Sequence, residues 1–403
     1  MEYGFGMAKI TPTVGVQMEG YQSRYAQSIH DDLYVAASVI KHASTTVVLI
    51  SMDIVVVPGF RADRIKRRLS EIYQLPASQI IISANHTHSG PVVSDLLLDN
   101  AEVSETYWQL ITQQALQAVA QAMTMLQGVT AVLTKSPVAD KVYGNRNNPM
   151  FAYNNQLVEV RFLHANQLYG SIFLLASHPT VLNAQNLAIS GDLISQLRRD
   201  YQQTFGITPF IALTDCGDTS TRYTRQASTF AEVERLAKLI VKSVRKPVLE
   251  LPICFNNFSL KQISYECAYD PMTNPQATAL YHHLTSRYEQ AVGSDKEKYA
   301  GFVSTYTHIR YLGHTHFQTK AFIWDFDDLR VITYPGELVY ALGQRLRNID
   351  SKPTLLITLA NDYRGYSVDE KKFGQYFESS NSVFLKGMAD EFVNRIIAGV
   401  TTK

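Results

Sequence analysis

Chemistry-bearing side chains in this sequence gather where apolar runs stop. The stretch "IIISANHTHSGP" (80–91) breaks from a buried-looking run into His86 and His88. "LLASHPTVLN" ends in the same way on His178, and "TDCGDTSTR" delivers Asp215, Cys216, Asp218 and Ser220. "TYPGELVY" brings Glu337, and "LANDYRGY" brings Tyr363 and Tyr366. In α/β sheets, functional side chains sit on loops at the carboxyl ends of strands. Strands that share a direction would therefore place all of these groups on one rim. Two histidines, a glutamate and an open position make a catalytic zinc set. Neutral imidazole and carboxylate suit a borderline ion better than a hard one such as Mg²⁺. Glu337 is expected in the first turn of a helix opened by Pro335-Gly336, where the helix dipole favours its charge.

The elements that must position these residues follow from the hydrophobic pattern. Short β-branched runs at 45–57, 78–84, 170–177, 208–215, 329–334 and 354–360 are too continuous for one-sided strands. They predict central strands covered on both faces. Between them, 104–127 carries Trp108, Ile111, Ala115, Val119, Ala122 and Leu126 at helical steps, with Gly128 ending the run. Residues 229–245 open on Thr229-x-x-Glu232, a capping box. This alternation predicts an α/β fold, a layered sheet with helices packed on its faces and the metal site at the strand carboxyl ends. The stretch "LPICFNNFSLKQISYECAY" alternates like a half-exposed strand, and a polar, helical insertion is expected over 274–300. One domain is expected over 1–403, with a weak subdivision near 250.

Composition narrows the function classes. The chain has 403 residues, 46% apolar and 18% charged, with a net charge of +1. This is a core-forming composition without the basic surplus of a nucleic-acid binder. No window of about 18 uninterrupted apolar residues occurs, so no transmembrane helix is expected. The start "MEYGFGMAKITP" has no basic-then-apolar secretory pattern. Cys216, Cys254 and Cys267 lack CxxC spacing and read as reduced, buried structural thiols, which fits a cytoplasmic protein. Arg198-Arg199 reads as a solvated helix face, and His282-His283 as exposed. His314-Thr315-His316, with His308 nearby, repeats the His-Thr-His spelling inside an apparent strand and reads as sheet or interface surface.

The pieces also carry a resemblance. "AKITPTVGVQMEGY" (8–21), "IHDDLYVAASVI" (29–40), "NHTHSGP" (85–91), "GNRNNPMFAYNN" (144–155), "SHPTVLN" (177–183), "CGDTSTR" (216–222), "YPGEL" (334–338) and "NDYRGY" (361–366) occur in this order. In that order they resemble the amino-terminal catalytic domain of neutral, non-lysosomal ceramidases, over nearly the whole chain. The resemblance implies a zinc amidohydrolase that splits an N-acyl amide such as N-acylsphingosine. It implies His86, His178, Glu337 and Tyr366 as zinc ligands and His88 beside the reaction centre. It implies Arg146 on the substrate amide or its oxyanion, and Ser220 as the proposed nucleophile. The sequence departs from the family pattern at Asn85, Val92-Val93, Thr219-Ser220-Thr221-Arg222 and "KKFGQYF" (371–377). The family's carboxy-terminal β-sandwich is not expected here.

The expected chemistry is amide hydrolysis. Zn²⁺ would polarise the carbonyl and lower the pKa of bound water to about 7. Arg146 would offer a permanent fork of donors. His88, two residues from a ligand on an extended segment, would point to the same side as His86 and move a proton. Zinc-bound hydroxide and Ser220 Oγ both stay open as nucleophile. Asp218 either orients Ser220 or a ligand histidine, or simply forms the turn beside Gly217. The expected partner is a small N-acyl amide or lipid-like substrate. Alternatives on the same scaffold are a zinc esterase or phosphoester hydrolase, or an inactive relative that binds lipid or a partner.

Overall fold

The computed structural model describes residues 1–98, 100–293, 296, 299–300, 303, 306–307 and 316–402. His308, His314 and Thr315 lie outside the described residues. The mixed α/β architecture is built on three large sheets and not on one layered sheet. The first runs Ile80–Ala84, Thr45–Met52, Tyr34–His42, Glu2–Lys9 and Gln127–Gly128 in spatial order. The second runs Phe210–Leu213, Gln167–Leu175, Gln156–His164, Thr130–Pro137 and Leu249–Ile253. The third runs Phe258–Ala268, His316–Phe326, Arg330–Thr333 and Thr354–Ile357.

Each large sheet has a single parallel pair, at one edge: 45–52 with 80–84, 167–175 with 210–213, and 330–333 with 354–357. Their other pairings are antiparallel. Parallel strands need a crossover. Helices Gly59–Tyr73, Asp192–Phe205 and Tyr340–Arg347 supply the three crossovers. The alternation seen in the sequence is thus three β–α–β units, and the antiparallel strands widen each into a sheet. The continuous apolar runs are the parallel pairs: all residues of Ile80–Ala84 and Phe210–Leu213 are buried.

The edge strands of the three units meet in the middle of the molecule. Ala84 N donates to Leu359 O (3.1 Å), Asn361 N to Ile82 O (2.7 Å) and Thr358 N to Leu213 O (3.0 Å). Ser51 Oγ donates to Ile211 O at 2.6 Å. Groups that would otherwise be unpaired sheet edges are satisfied by each other. An apolar core shared by all three sheets, including Leu49, Val160, Ile172, Trp324 and Leu355, packs beside this junction.

Helix Glu105–Thr124 is shorter than the predicted 104–127, because Gln127–Gly128 pairs with Glu2 and Tyr3 as a strand. Ser104 caps it by accepting from Tyr107 N (3.1 Å). Helix Phe230–Val244 has half of the expected capping box. Thr229 Oγ1 accepts from Glu232 N, but the Glu232 carboxylate turns to Gln226 N and Arg235. The stretch 251–269 is not one strand: Leu249–Ile253 joins the second sheet and the half-exposed Phe258–Ala268 the third, and helix Pro275–Gln290 fills the first part of the expected helical stretch 274–300. His316 is exposed and bonds Glu266 (2.6 Å). Cys216 and Cys267 are buried free thiols, whereas Cys254 is exposed, against the expectation. Among the described residues no helix is long and apolar enough to cross a membrane.

One buried ion pair corrects the sequence reading. Arg198 does not lie on a solvated face. It is buried and grips Asp53 with both terminal nitrogens, at 3.0 and 3.1 Å. The amphipathic period places Arg198 inward, and the acid that neutralises it comes from the end of another sheet. Asp53 also accepts from Asn85 Nδ2 (2.8 Å) and Tyr34 N (2.9 Å). Asp53→Ala leaves a buried guanidinium uncompensated, so unfolding free energy is expected to fall by about 3–5 kcal/mol in denaturant titration.

Candidate active site

The three β–α–β units deliver their carboxyl ends to one place. From the first unit, Asn85 N bonds Met52 O and His86 N bonds Ile54 O (2.8 and 2.9 Å), which turns the chain at the strand end. His86 takes φ 62°, the left-handed region that side chains rarely adopt. The segment through His88 is therefore not extended as expected. The turn still brings the rings together, with His88 Nε2 3.4 Å from His86 Nε2.

The second unit supplies His178 and the loop 214–222. His178 N and Nδ1 both reach Thr219 O, at 3.0 and 3.1 Å. Ser220 follows on a two-residue strand paired with Gly144 and Asn145, which sets it beside the Asn145-Arg146 turn. The third unit supplies Glu337 and Tyr366, direct register partners in a two-residue parallel pair. That pairing corrects the helical reading of Glu337. Hydrogen bonding to Gly365 and Tyr366–Ser367 holds 337–338 extended, and the helix starts only at Tyr340.

The result is a buried cluster in which ligand atoms of His86, His178 and Glu337 all lie within 4.8 Å of one another. Glu337 Oε2 is 2.6 Å from His178 Nε2 and 3.2 Å from His86 Nε2. Tyr366 Oη lies 3.3 Å from His178 Nε2. Glu337 Oε1 accepts from Tyr363 Oη at 2.7 Å. Tyr363, noted in the sequence only as a strand-end tyrosine, orients the carboxylate. Its signal was its spacing of three residues from Tyr366.

Tautomers follow from the backbone. His86 Nδ1 is 2.7 Å from Val55 O, and His178 Nδ1 faces Thr219 O. A carbonyl can only accept, so Nδ1–H is the protonated nitrogen in both rings. Both Nε2 atoms then present lone pairs toward the Glu337 carboxylate. Burial, reinforced by Arg146, pushes His178 down to about 4, so this ring is neutral at neutral pH. Acceptor facing acceptor at 2.6 Å is repulsive, and a cation shared by these groups removes the repulsion. The donor set therefore fits a metal ion, and imidazole with carboxylate fits zinc.

Other side chains complete the surroundings. His88 is pushed well below the ordinary imidazole value by burial and by His86, and its Nδ1 is buried without a partner. Arg146 is a fixed group. Its Nε donates to Glu378 (2.7 Å), its Nη2 to Gly217 O (2.7 Å), and its guanidinium lies 5.2 Å from the Tyr366 ring centroid. Asp218 Oδ1 accepts from Tyr340 N and Oδ2 from Asn145 Nδ2, at 2.8 and 2.9 Å. It ties the Ser220 loop to a helix start, with no bond to Ser220 or a histidine. Burial raises it to about 7. Asp215 pairs with Arg347 and Asn154, away from the cluster. Ser220 Oγ accepts from Arg222 N at 3.2 Å.

Gly217 is a close approach between the second and third units. A Cβ there would lie 2.7 Å from the Leu338 carbonyl carbon and 2.8 Å from Glu337 O. Gly217→Ala is expected to cost about 1–3 kcal/mol by overpacking, read as a lowered denaturation midpoint with unchanged m-value.

Comparison with known proteins follows this geometry. Residues 2–197 match the family model described as neutral/alkaline non-lysosomal ceramidase, N-terminal. The crystal structure of neutral ceramidase from Pseudomonas aeruginosa superposes with TM-score 0.74 at 17% identity, covering 98% of this chain and 73% of that one. A structure of a ceramidase complexed with C2 gives TM-score 0.74 at 16% identity, over the same shares of the two chains. No curated protein matches by sequence. The segment 2–197, which carries His86, His88, Arg146 and His178, is thus similar to the amino-terminal part of the neutral/alkaline non-lysosomal ceramidases, and over nearly its whole length the chain has the neutral ceramidase fold.

Proposed function

We propose that this ceramidase-like hydrolase is a zinc-dependent amidohydrolase that cleaves a linear N-acyl amide. The observation that carries the reading is the convergence of His86, His178 and Glu337 with Tyr366 beside them, both imidazole Nε2 lone pairs turned toward one carboxylate. His86, His178, Glu337 and Tyr366 would hold one Zn²⁺. A zinc ion there supplies Lewis acidity for an amide carbonyl and acidifies water.

The chain's own residues prepare the rest. Val55 O and Thr219 O fix the imidazole tautomers, and Tyr363 fixes the carboxylate. Arg146 is buried, and Tyr366, Glu378 and Glu337 outweigh the effect of burial, so its guanidinium stays charged. A fixed cation costs no reorganisation when negative charge develops on an amide oxygen. His88 is neutral, with one ring nitrogen unpartnered, and is suited to take up or give a proton. Ser220 follows the residue whose carbonyl orients His178, so one short strand carries both the nucleophile candidate and the carbonyl that orients a ligand. The family implies a lipid amide as substrate.

His178→Ala is expected to purify with zinc reduced at least tenfold by elemental analysis, in line with a lost ligand. Full zinc occupancy in that variant would refute the ligand assignment. Ser220→Ala is expected to retain zinc while turnover of an N-acyl amide falls roughly 100-fold or more, the loss typical of one positioned transition-state group. Undiminished turnover would assign the attack to water.

A further inference from the structure

We propose that the cleft on the outer side of Arg146 is an anion subsite, and that the amide cleaved here carries a carboxylate or phosphate on the part reaching past Arg146. The proposal rests on the amidohydrolase reading and narrows its substrate class. The cleft has a volume of about 210 Å³, and its walls include Arg146, Arg222, Tyr223, His283, Tyr299 and Gln375. No aspartate or glutamate lines it among the described residues. It begins one side chain away from the metal-competent cluster, because the Arg146 guanidinium separates it from the Tyr366 ring.

Arg222 carries the argument. The charge of Arg146 is balanced by Glu378, which is fully buried behind it. Arg222 makes no ion pair among the described residues. It is nonetheless not a loose surface arginine. Its backbone N is bonded to Ser220 Oγ (3.2 Å), and its guanidinium lies 5.4 Å from the Phe377 ring centroid. The same ring takes Arg146 at 4.4 Å. One aromatic ring thus holds two guanidinium groups at the cleft wall, one neutralised and one free. His283 adds an exposed imidazole to the same cleft.

A guanidinium presents a planar fork that matches carboxylate and phosphate. The volume is below the roughly 300–1,000 Å³ of pockets for drug-sized ligands, and fits a compact polar group. A substrate whose scissile amide sits at the cluster would place such a substituent against Arg222. N-acyl amino acids and N-acyl phosphoethanolamine-type amides share this chemistry.

Matched pairs test it by equilibrium binding and by hydrolysis with the full chain. One pair is an N-acyl amino acid and its carboxamide. The other is an N-acyl phosphoethanolamine and the corresponding N-acylethanolamine. The anionic member of at least one pair is expected to bind at least tenfold tighter at low salt, and the pair that shows this identifies carboxylate or phosphate. Arg222→Gln is expected to abolish the difference and Arg222→Lys to keep part of it, with zinc content and melting temperature unchanged in both. Equal binding within both pairs, or a preference that survives Arg222→Gln, overturns the subsite. Hydrolysis of the neutral members without any preference also overturns it and leaves the amidohydrolase reading intact. Anion-selective binding with no hydrolysis of any compound does the reverse.

Discussion

Two carbonyl oxygens decide what the centre of this molecule can be. Val55 O and Thr219 O each take the Nδ1 proton of an imidazole, so the neutral rings of His86 and His178 turn an unprotonated Nε2 to Glu337. Three acceptor groups then share a buried space, and a fourth oxygen, Tyr366 Oη, stands beside them. Burying acceptors against one another is among the costlier arrangements in a protein interior. A shared cation turns the same arrangement into a ligand field. The placement of the carbonyls follows from secondary structure: Val55 belongs to the buried turn after Thr45–Met52, and Thr219 to the short strand paired with Asn145.

The fold meets this constraint by using three copies of one device. Each β–α–β unit ends a buried edge strand at the central junction, and the site residues follow one or the other strand of its parallel pair: His86 after 80–84, His178 after 167–175, Glu337 after 330–333 and Tyr366 after 354–357. The backbone groups that join the units are those of the strand ends themselves, such as Ala84 to Leu359 and Thr358 to Leu213. His86 and His178 follow their strands by two and three residues and Glu337 by four, whereas Ser220 and Tyr366 lie seven and nine residues on and are held by two-residue strand pairings. Those pairings bring residues as far apart in sequence as His178 and Tyr366 into one cluster.

This device also explains what the sequence disclosed. The strands of the parallel pairs read as largely unbroken apolar runs, so their ends, and the histidines, carboxylate and tyrosines that follow, were legible. The widening antiparallel strands were less so. Phe258–Ala268 alternates clearly, but pattern alone does not say which sheet a strand joins. Pro335-Gly336 resembles a helix start, yet Glu337 stays extended because Gly365 and Tyr366 claim its backbone. Arg198 looked solvated because its partner, Asp53, is 145 positions away and on another sheet. Asp218 sits in the right loop but bonds the start of a helix, which no spacing rule announces.

Buried and exposed parts of the site answer to different physical limits. Within the cluster the members depend on one another: losing Glu337 would leave two imidazole lone pairs facing each other and Tyr363 without its acceptor. The cleft wall is under no such restraint. Arg222 is exposed and held by one backbone bond and one aromatic ring, so its replacement strands no buried group. The buried cluster is thus held by mutual dependence, while the residue proposed to select the substrate is one that folding leaves free to vary.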